Sequence, residues 1–550
     1  MRAFVEPLQE LSEYGQMVKT ADGNTGLISI TGCIDSQKPH MMYAFGNGQK
    51  NKLIVTFNEQ KAKELYEEYR FFDPDTVYYP AKDVLFYQSD IRGNVLTAER
   101  INAIKAIREQ ERVTLVTTFD ALMNTMPPAE KTWSGIIRLA PGDIIDIDEF
   151  KKKLVELGYE KDYQVETRGQ FAIRGGIIDI FPLTEENPAR IELWDDEIDT
   201  IRSFDTESQK SIENLDELVI YPACELVLTE AEKAAGIKKI TEEAEKLSDK
   251  LRKEMKTEEA YRIKSTADEL AEEWGVLQIT AGMDAFLSYF CKEKVGLLDY
   301  FPPDNTYVFF DEISRCAERG KQTETEFSES MKQRLAMGYI LPGQMKELFL
   351  EKEVMGKLAK YSCVSLSALD TKSAGLHQTG QYGIHVQSVS SYNNSFELLI
   401  KDLKKYKKNG YRVILMSGSK TRARRLAEDL MDEGFASFYT EDYDHELVAG
   451  QIMVCHGQIK RGFEYPILRF AVITESDIFG AEKKKKKRHR TYEGEQIQSF
   501  TDLSVGDYVV HENHGLGIYR GIEKIEVDKK VKDYIKIEYQ GGSNLYILAT

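Results

Sequence analysis

The chain has 550 residues, 42% hydrophobic and 30% charged, with 73 Lys+Arg against 91 Asp+Glu for a formal net charge of −18. At roughly 150 residues per domain, that length predicts three to five domains. The acidity excludes holding a polyanion by net charge, so a grip on nucleic acid must be local; no apolar run is long enough for a membrane span, and the first residues predict no secretory signal.

Residues 1–125 alternate strand and helix patterns. Leu53-Ile-Val-Thr-Phe57 predicts a strand, and Glu59 to Tyr69 a helix with Ala62, Leu65, Tyr66 and Tyr69 at helical spacing. Val77-Tyr-Tyr-Pro80 predicts a short strand, Arg100 to Glu111 a helix and Val113-Thr-Leu-Val-Thr117 a strand. Such alternation argues for a parallel sheet with helices on its faces. Pro127-Pro128 breaks it. From about 130 to 215 the short strands Gly175-Gly-Ile-Ile-Asp-Ile-Phe-Pro182 and Arg190-Ile-Glu-Leu-Trp194, continued by Asp195 to Arg202, predict an α+β insertion with an antiparallel sheet. Residues 228–275, rich in Ala, Glu, Lys and Leu, predict helix. Val308-Phe-Phe-Asp-Glu312 is an apolar strand ending in two carboxylates. A second α/β rhythm runs over 385–480, with strands at Arg412 to Met416, Gln451 to Val454 and Phe470 to Ile473 and an amphipathic helix from Ser419 to Glu433. After a basic run, Lys483 to Arg490, the stretch Asp507 to Leu548 is dense in β-branched and aromatic residues with frequent Gly, which predicts a small barrel.

The six cysteines, at 33, 224, 291, 316, 363 and 455, form no C-x-x-C pair and predict free thiols in a reducing cytoplasm. The nearest approach to a phosphate-binding loop is Gly32-Cys-Ile-Asp-Ser-Gln-Lys-Pro39. Gly32 and Lys38 stand in place, but Gln37 replaces the second Gly and Pro39 the hydroxyl residue, and Pro removes an amide from the cradle. On motif grounds the stretch also reads as an ordinary loop. Asp311-Glu312 has the form of a Walker B end, where the Asp holds magnesium and the Glu orients water; acidic pairs also end strands without any such role. Lys483 to Arg490 reads as a solvated linker or a nucleic-acid contact. His511 and His514 have no third ligand near them and read as barrel residues rather than zinc ligands. No G-x-S-x-G or H-E-x-x-H is present.

Leu297-Leu-Asp-Tyr-Phe-Pro302 followed by Val308-Phe-Phe-Asp-Glu312 resembles the excision-repair protein UvrB at its Walker B motif, and Arg174-Gly-Gly-Ile-Ile-Asp-Ile-Phe-Pro182 resembles UvrB's UvrA-binding domain. Arg461-Gly-Phe-Glu464, Ala471-Val-Ile-Thr-Glu475 and the long stretch Val505 to Ile522 resemble the bacterial transcription-repair coupling factors, the Mfd family, with order and spacing that agree from about residue 15 to residue 548. The resemblance implies a multidomain α/β chain: 1–127 and 216–345 as two parts of a UvrB-like degenerate P-loop module, 128–215 as its UvrA-binding insertion, 380–480 as a middle α/β domain, 481–497 as a basic linker, and 498–550 as an RNA-polymerase-interacting, Tudor-like all-β barrel.

In that family the UvrB-like module has lost its nucleotide site. Gly32, Lys38, Asp311 and Glu312 are then remnants, Gln37 and Pro39 mark the loss, and no catalytic residue, metal or cofactor is expected here. Pro80 to Gln88 leaves no room for UvrB's DNA-clamping hairpin. UvrA contact is implied for Arg174, Arg190 and Trp194, the last replacing the usual Phe, against an acidic partner surface; without the resemblance Trp194 also reads as core. Strand addition to the polymerase β subunit is implied for Lys524, Ile525 and Glu526, with Ile525 as the apolar contact or, alternatively, as core. Family members continue into a double-stranded-DNA translocase that uses ATP and magnesium and carries most of the DNA contact. The chain is therefore expected to be the N-terminal adaptor portion of such a factor, cytoplasmic in a bacterium, without ATPase activity of its own. The alternatives are a divergent UvrB-like DNA-dependent ATPase and a direct DNA binder acting through Lys483 to Arg490.

Overall fold

The computed structural model describes residues 1–46, 48–82, 94–275, 282–370, 373–480, 506–511, 515–527, 530–538 and 544–548. Seven strands build the first sheet, in the spatial order Gln378–Gly383, Gly26–Thr31, Ser362–Ser367, Thr306–Asp311, Asn51–Thr56, Thr114–Thr118 and Val77–Tyr79. All of its pairings are parallel. Asn51–Thr56 and Thr306–Asp311 are buried at every position, as strands covered on both faces must be. Alternate residues serve two cores. Leu53, Val55, Val308 and Phe310 meet one core, with Ile101, Phe119 and Cys316 of the helices on that side. Ile54 and Phe309 meet the other, with Phe4, Met41 and Leu65. The strands and the 59–69 helix expected from the pattern are present, and the helix expected from Arg100 begins at Asn94. Of the stretch Pro80 to Gln88, expected to leave no room for a hairpin, residues 83–88 lie outside the described residues.

The insertion is a six-stranded sheet whose antiparallel part runs Gln170–Arg174, Ile177–Ile180, Ala189–Trp194, Glu197–Phe204, Ser211–Asn214. Its inner face, with Phe171, Ile178, Ile180, Ile191 and Ile201, packs on Phe150 and Leu154 of the helix Ile147–Glu156. The strands Ile137–Leu139 and Leu218–Ile220 pair antiparallel, so the chain enters and leaves side by side, slightly past the expected end at 215. Just beyond, Glu225 anchors the insertion to the large sheet. It takes hydrogen bonds from Arg100 at 2.6 and 3.0 Å, while the buried guanidinium also donates to the Pro80 carbonyl at 2.7 Å. The helical stretch is a hairpin, Glu230–Lys253 and Thr257–Gly275, started by a Thr229–Glu232 capping box.

The second six-stranded sheet runs Gln387–Ser388, Phe463–Tyr465, Phe470–Thr474, Arg412–Ser417, Gln451–His456, Ala436–Tyr439. One face is covered by the helices Phe396–Lys408 and Lys420–Asp432 through Leu399, Leu403, Ala423 and Leu430. The opposite face, with Ile414, Met416, Met453, Phe470 and Val472, joins the core that already holds Phe4, Met41 and Ile54. The region expected as a middle domain thus shares one core with the first sheet, and residues 1–480 form one compact unit. In the second unit, 481–550, the described residues form a four-stranded antiparallel sheet in chain order: Tyr508–His511, Gly515–Val527, Lys530–Glu538, Asn544–Leu548. The basic run Lys483 to Arg490 and His514 lie outside the described residues. Among the described residues, no helix is long and apolar enough to cross a membrane. All six cysteines are free.

Candidate functional site

The loop between the strand Gly26–Thr31 and the helix Lys38–Ala44 occupies the position of a phosphate loop. Gly32 has φ +80, and a Cβ there would lie 2.0 Å from the Ile384 carbonyl oxygen, so only glycine fits. Four of the loop's amides are already committed. The Gly32 and Cys33 amides donate to the carbonyls of Ala368 and Ser367, and those of Gln37 and Lys38 both donate to Ile34. Pro39 has no amide to offer. The buried Gln37 side chain turns away from the cradle and donates from Nε2 to the Tyr465 hydroxyl at 2.7 Å. Ser36 Oγ donates to the Gly462 carbonyl at 3.2 Å.

His40 completes this junction. Its Nε2 lies 2.7 Å from the Phe4 carbonyl oxygen, which can only accept, so Nε2 carries the proton and Nδ1 accepts from the Tyr465 hydroxyl at 3.3 Å. A directed chain results: Gln37 donates to Tyr465, Tyr465 to His40, His40 to Phe4. Burial pushes the His40 pKa down to about 4, against the opposing pull of the Phe4 carbonyl, so the ring is neutral at pH 7.

Lys38, Asp311 and Glu312 are brought together. Lys38 Nζ lies 2.5 Å from Asp311 Oδ1, 2.9 Å from Glu312 Oε1 and 3.2 Å from Asp35 Oδ1. Burial works to neutralise the ammonium, but Asp311 and then Glu312 outweigh it and raise its pKa, so it stays charged. Glu312 sits in the left-handed region at φ +62, and its Oε1 also accepts the Ala368 amide at 2.9 Å. A cavity of about 360 Å³ adjoins the cluster, lined by Lys61, Lys460 and Arg461 but also by Glu64 and Glu68. Burial pushes Glu68 up to about 7. Spent amides, a Gln side chain built into the packing and facing carboxylates do not fit a nucleoside triphosphate with magnesium. Among the described residues, no three His, Cys, Asp or Glu side chains are grouped to hold a metal.

The second constellation lies on the outer face of the insertion sheet. Arg190, Glu192 and Trp194 alternate outward along one strand, while Ala189 and Ile191 point into the core. Asp179, in register with Arg190 on the neighbouring strand, is buried and grips both arginines. Arg190 donates to it from Nε at 2.6 Å and Nη2 at 2.9 Å, and Arg174 donates from the other side. Arg190 also stacks on Phe204, 4.6 Å from its ring centre. Two cations on one carboxylate leave a fixed excess of positive charge. Trp194 is 82% exposed, which excludes the core reading. Arg174, Arg190 and Trp194 therefore share one face. Asp179 escaped the sequence reading; its signal was a lone charge inside Ile-Ile-Asp-Ile-Phe.

In the C-terminal unit, Lys524, Ile525 and Glu526 lie on the strand Gly515–Val527, opposite Asp533, Lys532 and Val531. The strand Tyr508–His511 pairs only with Gly515 to Ile518. From Gly521 to Val527, the described residues supply a neighbouring strand on one edge alone. Such an edge is a template for strand addition.

Residues 137–226 match the UvrB interaction domain, and residues 503–549 match the CarD-like/TRCF RID domain. The transcription-repair-coupling factor of Bacillus subtilis is 33% identical over 500 residues, 90% of this chain and 42% of its own length. The chain is a homologue of the transcription-repair-coupling factors. That of Staphylococcus haemolyticus is 30% identical over 536 residues, covering 94% of this chain and 44% of its own length, and that of Staphylococcus epidermidis 28% over 534 residues. The chain thus spans less than half the length of these curated relatives. The insertion's outer face lies within the first matched domain, and the open-edged strand within the second.

Proposed function

We propose that these residues act in transcription-coupled nucleotide excision repair as a two-ended adaptor. The insertion recruits UvrA through Arg174, Arg190 and Trp194, and the C-terminal sheet engages the RNA polymerase β subunit by strand addition along Lys524 to Glu526. ATP, magnesium and most duplex-DNA contact belong to a motor outside these residues. The observation that carries the reading is the outer face of the insertion: two arginines held on a buried carboxylate beside a tryptophan left in water. A Trp side chain carries roughly 150–250 Å² of surface, worth about 4–6 kcal/mol gross at about 25 cal/mol per Å² if a partner covers it. Arg and Trp are the residue types that anchor interfaces.

The competing reading, a divergent UvrB-like DNA-dependent ATPase, has in its favour only the convergence of Lys38, Asp311 and Glu312. The committed amides of the loop weigh against it. An ATPase assay with and without duplex DNA separates the two. The adaptor reading expects no turnover from this chain; turnover that Lys38→Ala abolishes would establish the enzyme instead.

A further inference from the structure

The outer face of the insertion sheet carries one aromatic side chain that the docking face does not yet include. Residues 162–168 leave the short strand Glu160–Lys161 and fold back over the outer side of the sheet. Val165, fully buried, fastens this segment to Ala172 and Phe181, both of which project outward from the sheet, and Arg168 lies 5.8 Å from the centre of the Phe181 ring. The Asp162 carboxylate accepts from Gln170 Nε2 at 3.2 Å, and Gln170 Oε1 accepts the amides of Glu166 and Thr167 at 3.0 and 2.9 Å. The segment is thus braced by apolar burial and by three hydrogen bonds to one glutamine.

At its head stands Tyr163, 93% exposed, the most exposed aromatic among the described residues. Its carbonyl accepts from Arg174 Nη1 at 3.1 Å. Arg174 is therefore held from two sides, by Asp179 and by the Tyr163 backbone. Tyr163 stands beside the strand of Arg174, and Trp194 lies two strands away, about 10 Å across the sheet at the usual strand spacing. Arg174 lies between Tyr163 and the strand that carries, in order, Arg190, Glu192 and Trp194. An unpaired aromatic held out in water by a braced backbone gains nothing for the fold, since its ring buries almost no surface.

We propose that Tyr163 is a second aromatic anchor of the same docking face. The partner surface it fits is acidic opposite Arg174 and Arg190 and has two apolar slots, one for Trp194 and one for the Tyr163 ring. The inference rests on the reading of this face as the UvrA-docking surface. Two aromatics set apart on one face also fix the orientation of the partner, which a single anchor does not.

The test is titration of purified UvrA with the full chain and its Tyr163→Ala, Tyr163→Phe and Trp194→Ala variants. Tyr163→Ala keeps the backbone carbonyl that holds Arg174, so it removes the ring alone, and the exposure of the ring leaves the fold unperturbed. The expected result is a tenfold or greater loss of affinity for Tyr163→Ala, a loss under threefold for Tyr163→Phe and a loss of at least tenfold for Trp194→Ala. If Trp194→Ala loses tenfold while Tyr163→Ala binds within twofold of the parent, the second anchor is refuted and the docking face stands. If both alanine variants bind like the parent, the anchor and the docking face are refuted together.

Discussion

The junction around Tyr465 gives a stringent test of how the loop from Gly32 to Pro39 is used. Tyr465→Phe removes one hydroxyl and no carbon, so it leaves no cavity. It strips two fully buried partners at once: Gln37 Nε2 loses its acceptor and His40 Nδ1 loses its donor. A buried polar group left unpaired costs about 1–3 kcal/mol, so the pair costs about 2–6 kcal/mol, and about 3 kcal/mol is a central expectation. The loss falls where the helix Lys38–Ala44 meets the strand Phe463–Tyr465. Amide hydrogen exchange followed by mass spectrometry reads it locally. Opening that is easier by about 3 kcal/mol speeds exchange at these two elements roughly 100-fold. Gln37→Leu combined with Tyr465→Phe removes one of the two stranded groups and should recover about half of the loss. Exchange in Tyr465→Phe within twofold of the parent would refute the hydrogen-bond chain.

Two further outcomes follow from the same region. The folded-state pKa of His40 lies below its unfolded value, 6.5 against about 4, so the unfolded chain binds the proton more readily. The stabilisation is therefore complete above about pH 6.5 and is lost as the pH falls toward 4; a shift of that size corresponds to about 3 kcal/mol. Urea titrations from pH 7 to pH 4 should show this slope in the parent and a flatter one in His40→Gln. Lys38→Met strands the Asp311 and Glu312 carboxylates and should destabilise the unit by about 3–5 kcal/mol, with partial rescue by adding Asp311→Asn. An unchanged urea midpoint would contradict the ion cluster.

Much of the fold was legible because its strands are short apolar runs bounded by turns. Leu53 to Phe57 and Phe470 to Ile473 could hardly be anything else once helices alternated with them. The union of the two α/β regions was not legible. A strand buried on both faces reads the same whether its second face meets a helix or another domain, so nothing in Ile414, Met416 or Val472 announces the shared core. The candidate site divides in the same way. Lys38 and Asp311-Glu312 were visible as motif remnants, and the structure pairs them as an ion cluster. Gln37 was visible only as a defect in the loop. Its positive use, a hydrogen bond to Tyr465 more than 400 residues away, has no local signature. Arg174, Arg190 and Trp194 were found through resemblance, while strand alternation placed Arg190 and Trp194 on one face. Asp179, which fixes both arginines, looked like one charge in an apolar strand until its neighbours in the sheet were known.

The central claim is that the face built on Asp179 captures UvrA. Calorimetric titration of UvrA with the parent chain and with Arg174→Ala plus Trp194→Ala tests it most directly, because Trp194 stands in water and the buried Asp179 keeps Arg190 as a partner when Arg174 is removed. At about 2 kcal/mol or more for each anchor, the double variant should bind at least 100-fold more weakly while its circular dichroism spectrum stays that of the folded parent. Equal affinity for the two proteins would contradict the account.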